Sequence, residues 1–75
     1  MKSLCIRVVG KVQGVYFRAT AKTVADKLGV KGFVRNERDK SVYIEAHGED
    51  NAMDEFVAWC QRGPSAAQVE SVHIE

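Results

Sequence analysis

The chemistry this chain can offer is concentrated between Gly10 and Arg18, in the string Gly10-Lys11-Val12-Gln13-Gly14-Val15-Tyr16-Phe17-Arg18. Two glycines four positions apart relax the backbone between a strand and the helix that begins near Arg18. Backbone N–H groups in such a loop, and in the open first turn of the helix, have no internal acceptors and carry partial positive charge. Together they enclose a small volume suited to a phosphate group. Arg18 sharpens this reading. A cation at a helix N-terminus opposes the helix dipole by roughly 0.3–1 kcal/mol, and an anion between the two reverses the sign of that interaction. The guanidinium can then donate a bidentate pair to phosphate oxygens.

Nothing near the loop offers a proton acceptor. His47 and His73 fall on expected strands away from it, and no carboxylate adjoins Arg18. The two cysteines, Cys5 and Cys60, have no metal-ligand spacing and read as reduced, partly buried thiols. No apolar run of signal-peptide length precedes Cys5, so the chain is expected to be soluble and cytoplasmic. With 11 basic and 10 acidic residues the net charge is only +1, far from the basic excess that a nucleic-acid backbone demands. Any anion site must therefore be local, and neither nucleic acid nor membrane is expected as a partner. Lys11 reads as a solvated loop lysine, and Tyr16 as a pocket rim or an exposed tyrosine.

The elements that must position the loop follow from periodicity. Leu4, Ile6 and Val8 alternate as a strand that the stretch from Gly10 to Gly14 should interrupt. Ala21, Val24, Ala25 and Leu28 share one helical face, with Gly29 placed to end the helix. Val30, Gly32 and Val34, then Val42, Ile44 and Ala46, read as a hairpin around the charged turn Glu37-Arg38-Asp39-Lys40. Asp50 or Asn51 can cap a second helix, with Met53, Phe56, Val57 and Cys60 on its inner face. Phe56 and Trp59 are expected in the core or at its edge. Gly63-Pro64 ends that helix, and Val69, Val72 and Ile74 suggest a last, less regular strand. The order strand, helix, strand, strand, helix, strand gives one α+β domain over residues 1–75. Its antiparallel sheet carries both helices on one face, the ferredoxin-like βαββαβ arrangement. Topology alone assigns no activity.

The loop string resembles the signature of the acylphosphatases: Gly, any residue, Val, Gln, Gly, Val, any residue, an aromatic, Arg. Gly32-Phe33-Val34-Arg35-Asn36 with Val42 resembles a second block of that family. Gly63-Pro64 with Ala67, Val69 and Val72 is similar to a third, looser one. The resemblance implies a small metal-free and cofactor-free enzyme that cleaves the carboxyl–phosphate bond of acyl phosphates to carboxylate and inorganic phosphate. It implies phosphate binding by Gly10, Val12, Gln13, Gly14, Val15, Tyr16, Phe17 and Arg18, and a catalytic Arg18 and Asn36, the latter orienting the attacking water. By itself Asn36 reads as a turn residue opening a hairpin. The alternative is a non-catalytic anion-binding or accessory domain of the same family. RNA binding would need stacked rings on the two central strands. Tyr43 supplies one, and Cys5 and Arg7 supply none.

Two departures from the family carry expectations of their own. Asp39-Lys40 stands where relatives commonly have Asp-Gly, so a different turn or modest strain is expected there. Relatives also continue for roughly another dozen residues in a further strand. The four-strand unit is expected to fold as a monomer with one bare edge through which copies can associate.

Overall fold

The computed structural model describes all 75 residues. Strand β1 spans Lys2–Lys11, helix α1 Phe17–Leu28, β2 Lys31–Asn36, β3 Val42–Gly48, helix α2 Asp50–Arg62 and β4 Gln68–Ile74. The sheet is antiparallel in the order β2-β3-β1-β4, and the βαββαβ succession is the expected ferredoxin-like fold.

Register explains which residues meet the helices. Ile6 pairs with Ile44 and Val8 with Val42, and all four are buried. The alternating Cys5, Arg7 and Tyr43 fall on the opposite, helix-free face. Phe17 and Ala21 of α1 and Met53, Phe56, Trp59 and Cys60 of α2 complete the core with them. The Phe17 ring lies 5.1 Å from that of Trp59, and the Phe56 ring 6.2 Å from it. Full burial of a side chain such as Phe17 contributes about 1.5–3 kcal/mol, so the first residue of α1 also anchors the loop before it. Gly29, in the left-handed region, ends α1, its N–H donating to Asp26 O at 3.3 Å.

Two local expectations are corrected and a third is resolved. First, β1 is not interrupted at Gly10 but runs to Lys11. Its pairing with β4 shifts register between Val9 and Gly10, where Ser71 faces Val9 but Val69 faces Gly10. Glu70 is the extra residue of a β-bulge. The bulge brings Val69 and Val72 to the same side of the sheet although they are three apart, which is why β4 shows no clean alternation. Second, α2 is preceded by Glu49, not capped by Asp50 or Asn51, and Glu49 makes no side-chain cap. Third, the turn after Asn36 keeps the left-handed conformation that Asp-Gly would favour, with Lys40 at φ 75°. Of the two alternatives expected there, strain is the one realised.

Candidate active site

The loop between β1 and α1 is held from beneath. Val12, Val15 and Phe17 are buried, while Gly14 and Tyr16 between them take left-handed conformations, φ 72° and 64°. Gly14 has open space where a side chain would stand, so it is required for its dihedral angles alone. Tyr16 has no such freedom and is 79% exposed. A non-glycine residue in that region costs on the order of 1 kcal/mol, and such strain tends to mark functional corners.

This path leaves a run of donors unused. The single backbone hydrogen bond of the junction runs from Thr20 N to Tyr16 O at 3.0 Å. The N–H groups from Gly14 to Ala19 have no acceptor in the chain. The first turn of α1 contains no acidic residue, and Tyr16 contributes no side-chain cap. Nothing on the protein therefore neutralises the positive end of the helix.

Arg18 lies among these amides, exposed and without an ion pair. Arg7 and Arg35 are different. The Arg7 Nε donates to Glu75 at 3.2 Å and its Nη1 to Ser41 Oγ at 3.1 Å, and Arg35 Nε donates to Glu37 at 3.1 Å. The Glu75 hydrogen bond holds the Arg7 guanidinium above its ordinary pKa. Those two arginines are committed to the chain's own carboxylates.

Asn36, the last residue of β2, pairs with the buried Val42, so its side chain leaves the sheet on the helix-bearing side. A cleft of about 330 Å³ joins the parts: Val12, Gly14, Tyr16, Phe17, Arg18 and Ala19 line one wall and Asn36 the other. A larger hollow of about 440 Å³ lies between α1 and β2, with mostly apolar walls that include Ala21, Ala25 and Val34. It holds neither Arg18 nor the unpartnered amides of Gly14–Ala19, so the smaller cleft is the candidate site.

The turn after Asn36 is closed by Glu37 N donating to Ser41 O at 2.9 Å and Lys40 N to Glu37 O at 3.1 Å. Asp39 accepts from the Ser41 hydroxyl and from Ser41 N. These bonds, the hydroxyl first, hold its carboxyl below the usual carboxylate range, with nearby Arg7 contributing.

Not every residue expected at the site is there. Val12, Gly14, Tyr16, Phe17, Arg18 and Asn36 meet in the cleft, and Gly10, Gln13 and Val15 do not line it. Gly10 sits inside β1 at φ 138°, where any Cβ would run into the Gln68 carbonyl oxygen, so its smallness serves the bulge. The Val15 side chain is a buried anchor beneath the loop, and only its unpartnered N–H is left to the site. The Gln13 side chain turns away, its Nε2 donating to Glu37 O and to Ser41 O at 2.9 Å each. Ala19 lines the cleft unforeseen; a methyl group carries no chemical signal in a sequence.

The family model described as Acylphosphatase matches residues 4–75. The chain belongs to the acylphosphatase family. A protein from Thermotoga maritima named acylphosphatase is 51% identical over 75 residues, covering 100% of this chain and 83% of that protein. A Rubrobacter xylanophilus acylphosphatase is 46% identical over 74 residues, covering 99% of this chain and 67% of its own. The crystal structure of acylphosphatase from Bacillus subtilis superposes with a TM-score of 0.96 at 36% identity, covering 100% of this chain and 83% of that one. Full-length HypF in the phosphate- and nucleotide-bound form shares the fold at TM-score 0.84 and 27% identity. The match covers 99% of this chain and only 10% of that one. The Thermotoga, Rubrobacter and Bacillus proteins, which match essentially the whole chain, are all named acylphosphatases, and the non-catalytic accessory alternative has no support.

Proposed function

We propose that this acylphosphatase-family enzyme hydrolyses acyl phosphates with Arg18 and the Gly14–Ala19 amides holding the phosphoryl group and Asn36 holding the attacking water. The observation that carries this is the single cleft in which an uncommitted guanidinium, a run of unpartnered N–H groups and a carboxamide face one another. Water attacks phosphorus, the bond from phosphorus to the carboxyl oxygen breaks, and the carboxylate leaves with the bonding electrons. Because a carboxylate is already a good leaving group, positioning and stabilisation of the equatorial oxygens supply most of the rate. The Asn36 carboxamide can both accept from and donate to water, but it is no base at neutral pH. The water's proton passes to an oxygen of the substrate's own phosphate.

The ligands are a small acyl phosphate and the product phosphate. No metal or other cofactor takes part in this scheme, since the guanidinium and the amides supply the charge that a cation would otherwise provide. The protein works as a cytoplasmic monomer. No helix is long and apolar enough to cross a membrane.

Phosphate release from benzoyl phosphate tests the reading. Arg18→Ala should lower kcat/KM by a factor on the order of 10³ and weaken inhibition by inorganic phosphate, with the circular dichroism of the fold unchanged. Near-normal turnover in that variant would refute the cradle. Hydrolysis should be indifferent to EDTA, and activity that vanished with the chelator and returned with a divalent ion would refute the metal-free scheme.

A further inference from the structure

We infer that Gln13 is a positioning residue, whose side-chain amide sets the spacing between the phosphate-holding loop and the turn that carries Asn36. The inference rests on the roles proposed above for Arg18 and Asn36. Gln13 Nε2 reaches two main-chain oxygens, Glu37 O and Ser41 O, at 2.9 Å each. Both partners are acceptors, so only the NH₂ end of the amide can serve, and both of its hydrogens are used. The same two carbonyls close the turn from within, Ser41 O receiving Glu37 N–H and Glu37 O receiving Lys40 N–H. Gln13 thus grips the turn at its two closing points, the first of them one residue beyond Asn36. No other hydrogen bond joins the Val12–Tyr16 loop to the Glu37–Ser41 turn.

Its neighbours make the grip matter for catalysis. Val12 and Gly14, on either side of Gln13, line the cleft opposite Asn36. A shift of the turn relative to the loop would change the distance between the held phosphorus and the held water without altering either holder. Misplacement of reacting groups by about 1 Å can cost on the order of 100-fold in rate. Ground-state phosphate binding depends on the loop alone and should barely respond.

The test is kinetic, on benzoyl phosphate, with Gln13→Met, Gln13→Glu, Asn36→Ala and the double variant Gln13→Met/Asn36→Ala. Gln13→Met keeps the length and loses both donors, while Gln13→Glu keeps the shape and offers oxygens to two carbonyls. Both should lower kcat by about 10- to 100-fold and change the inhibition constant of inorganic phosphate by less than about threefold. In the Asn36→Ala background Gln13→Met should cost little more, because the residue it positions is already gone. If Gln13→Met does not fold, Gln13→Asn, one methylene too short to reach, takes its place. Wild-type kcat in the folded Gln13 variants, a loss as large with Asn36 as without it, or a loss confined to phosphate affinity would each overturn the inference. An Asn36→Ala protein as fast as wild type would overturn the role of Asn36 and this inference with it. A slow Asn36→Ala beside a fast Gln13→Met would overturn the inference alone.

Discussion

Arg18 makes no ion pair within the chain, so an anion bound there would meet no internal competitor. Asn36 is likewise uncommitted, and the two should fail differently when altered. Asn36→Ala is expected to lower kcat by at least tenfold while inhibition by inorganic phosphate stays within about threefold, because water is oriented in the transition state and matters little in ground-state binding. Equal losses in both would make Asn36 a ligand-binding residue. Arg18 was legible for a physical reason, a cation where the helix dipole disfavours one, whereas Asn36 by itself read as a turn residue and took its role only from the resemblance to the family. Gln13 was legible as part of the signature but not in its role. Its partners lie 24 and 28 residues away and are main-chain oxygens, which leave no trace in residue types.

The elements place these residues through details that periodicity only half reveals. The helix faces and the buried alternation of β1 and β3 follow from the sequence because each buries one side. The bulge does not, since an inserted residue breaks the alternation by which a strand is recognised. Gly10 is its cost in composition. Gly10→Ala should destabilise the fold by on the order of 3 kcal/mol, through a Cβ forced onto the Gln68 carbonyl at an unfavourable φ. The fraction that remains folded should inhibit and turn over as wild type does, which urea titration combined with active-site titration would show. Strong loss of phosphate affinity at full stability would return Gly10 to the cradle. The N-terminus of α2 was misplaced by a residue or so because Asp50 and Asn51 are both good caps, yet the helix starts from Glu49 without any.

Over the molecule as a whole, the core behaves as one unit. Cys60 is completely buried, and desolvation of its thiolate pushes the thiol up to about 12. A group raised in the fold contributes stability that is complete below its ordinary value, about 8.5, and is lost as pH rises through the folded one. Thermal melting should therefore fall between about pH 9 and 12, less steeply in Cys60→Ala, and a common slope for both proteins would remove the thiol from the account. The catalytic corner is built on other terms. Of the two non-glycine residues held in left-handed conformations, Tyr16 lines the cleft and Lys40 lies in the turn that follows Asn36 on the opposite wall. Strain gathered at one end of a molecule sets the order in which its parts give way on heating. Turnover of benzoyl phosphate should decline, reversibly, several degrees before the far-ultraviolet dichroism does, so the enzyme would fall silent while still folded. Coincident curves would mean that the cleft melts only with the core, and that Tyr16 and Lys40 are held as firmly as the buried Phe17.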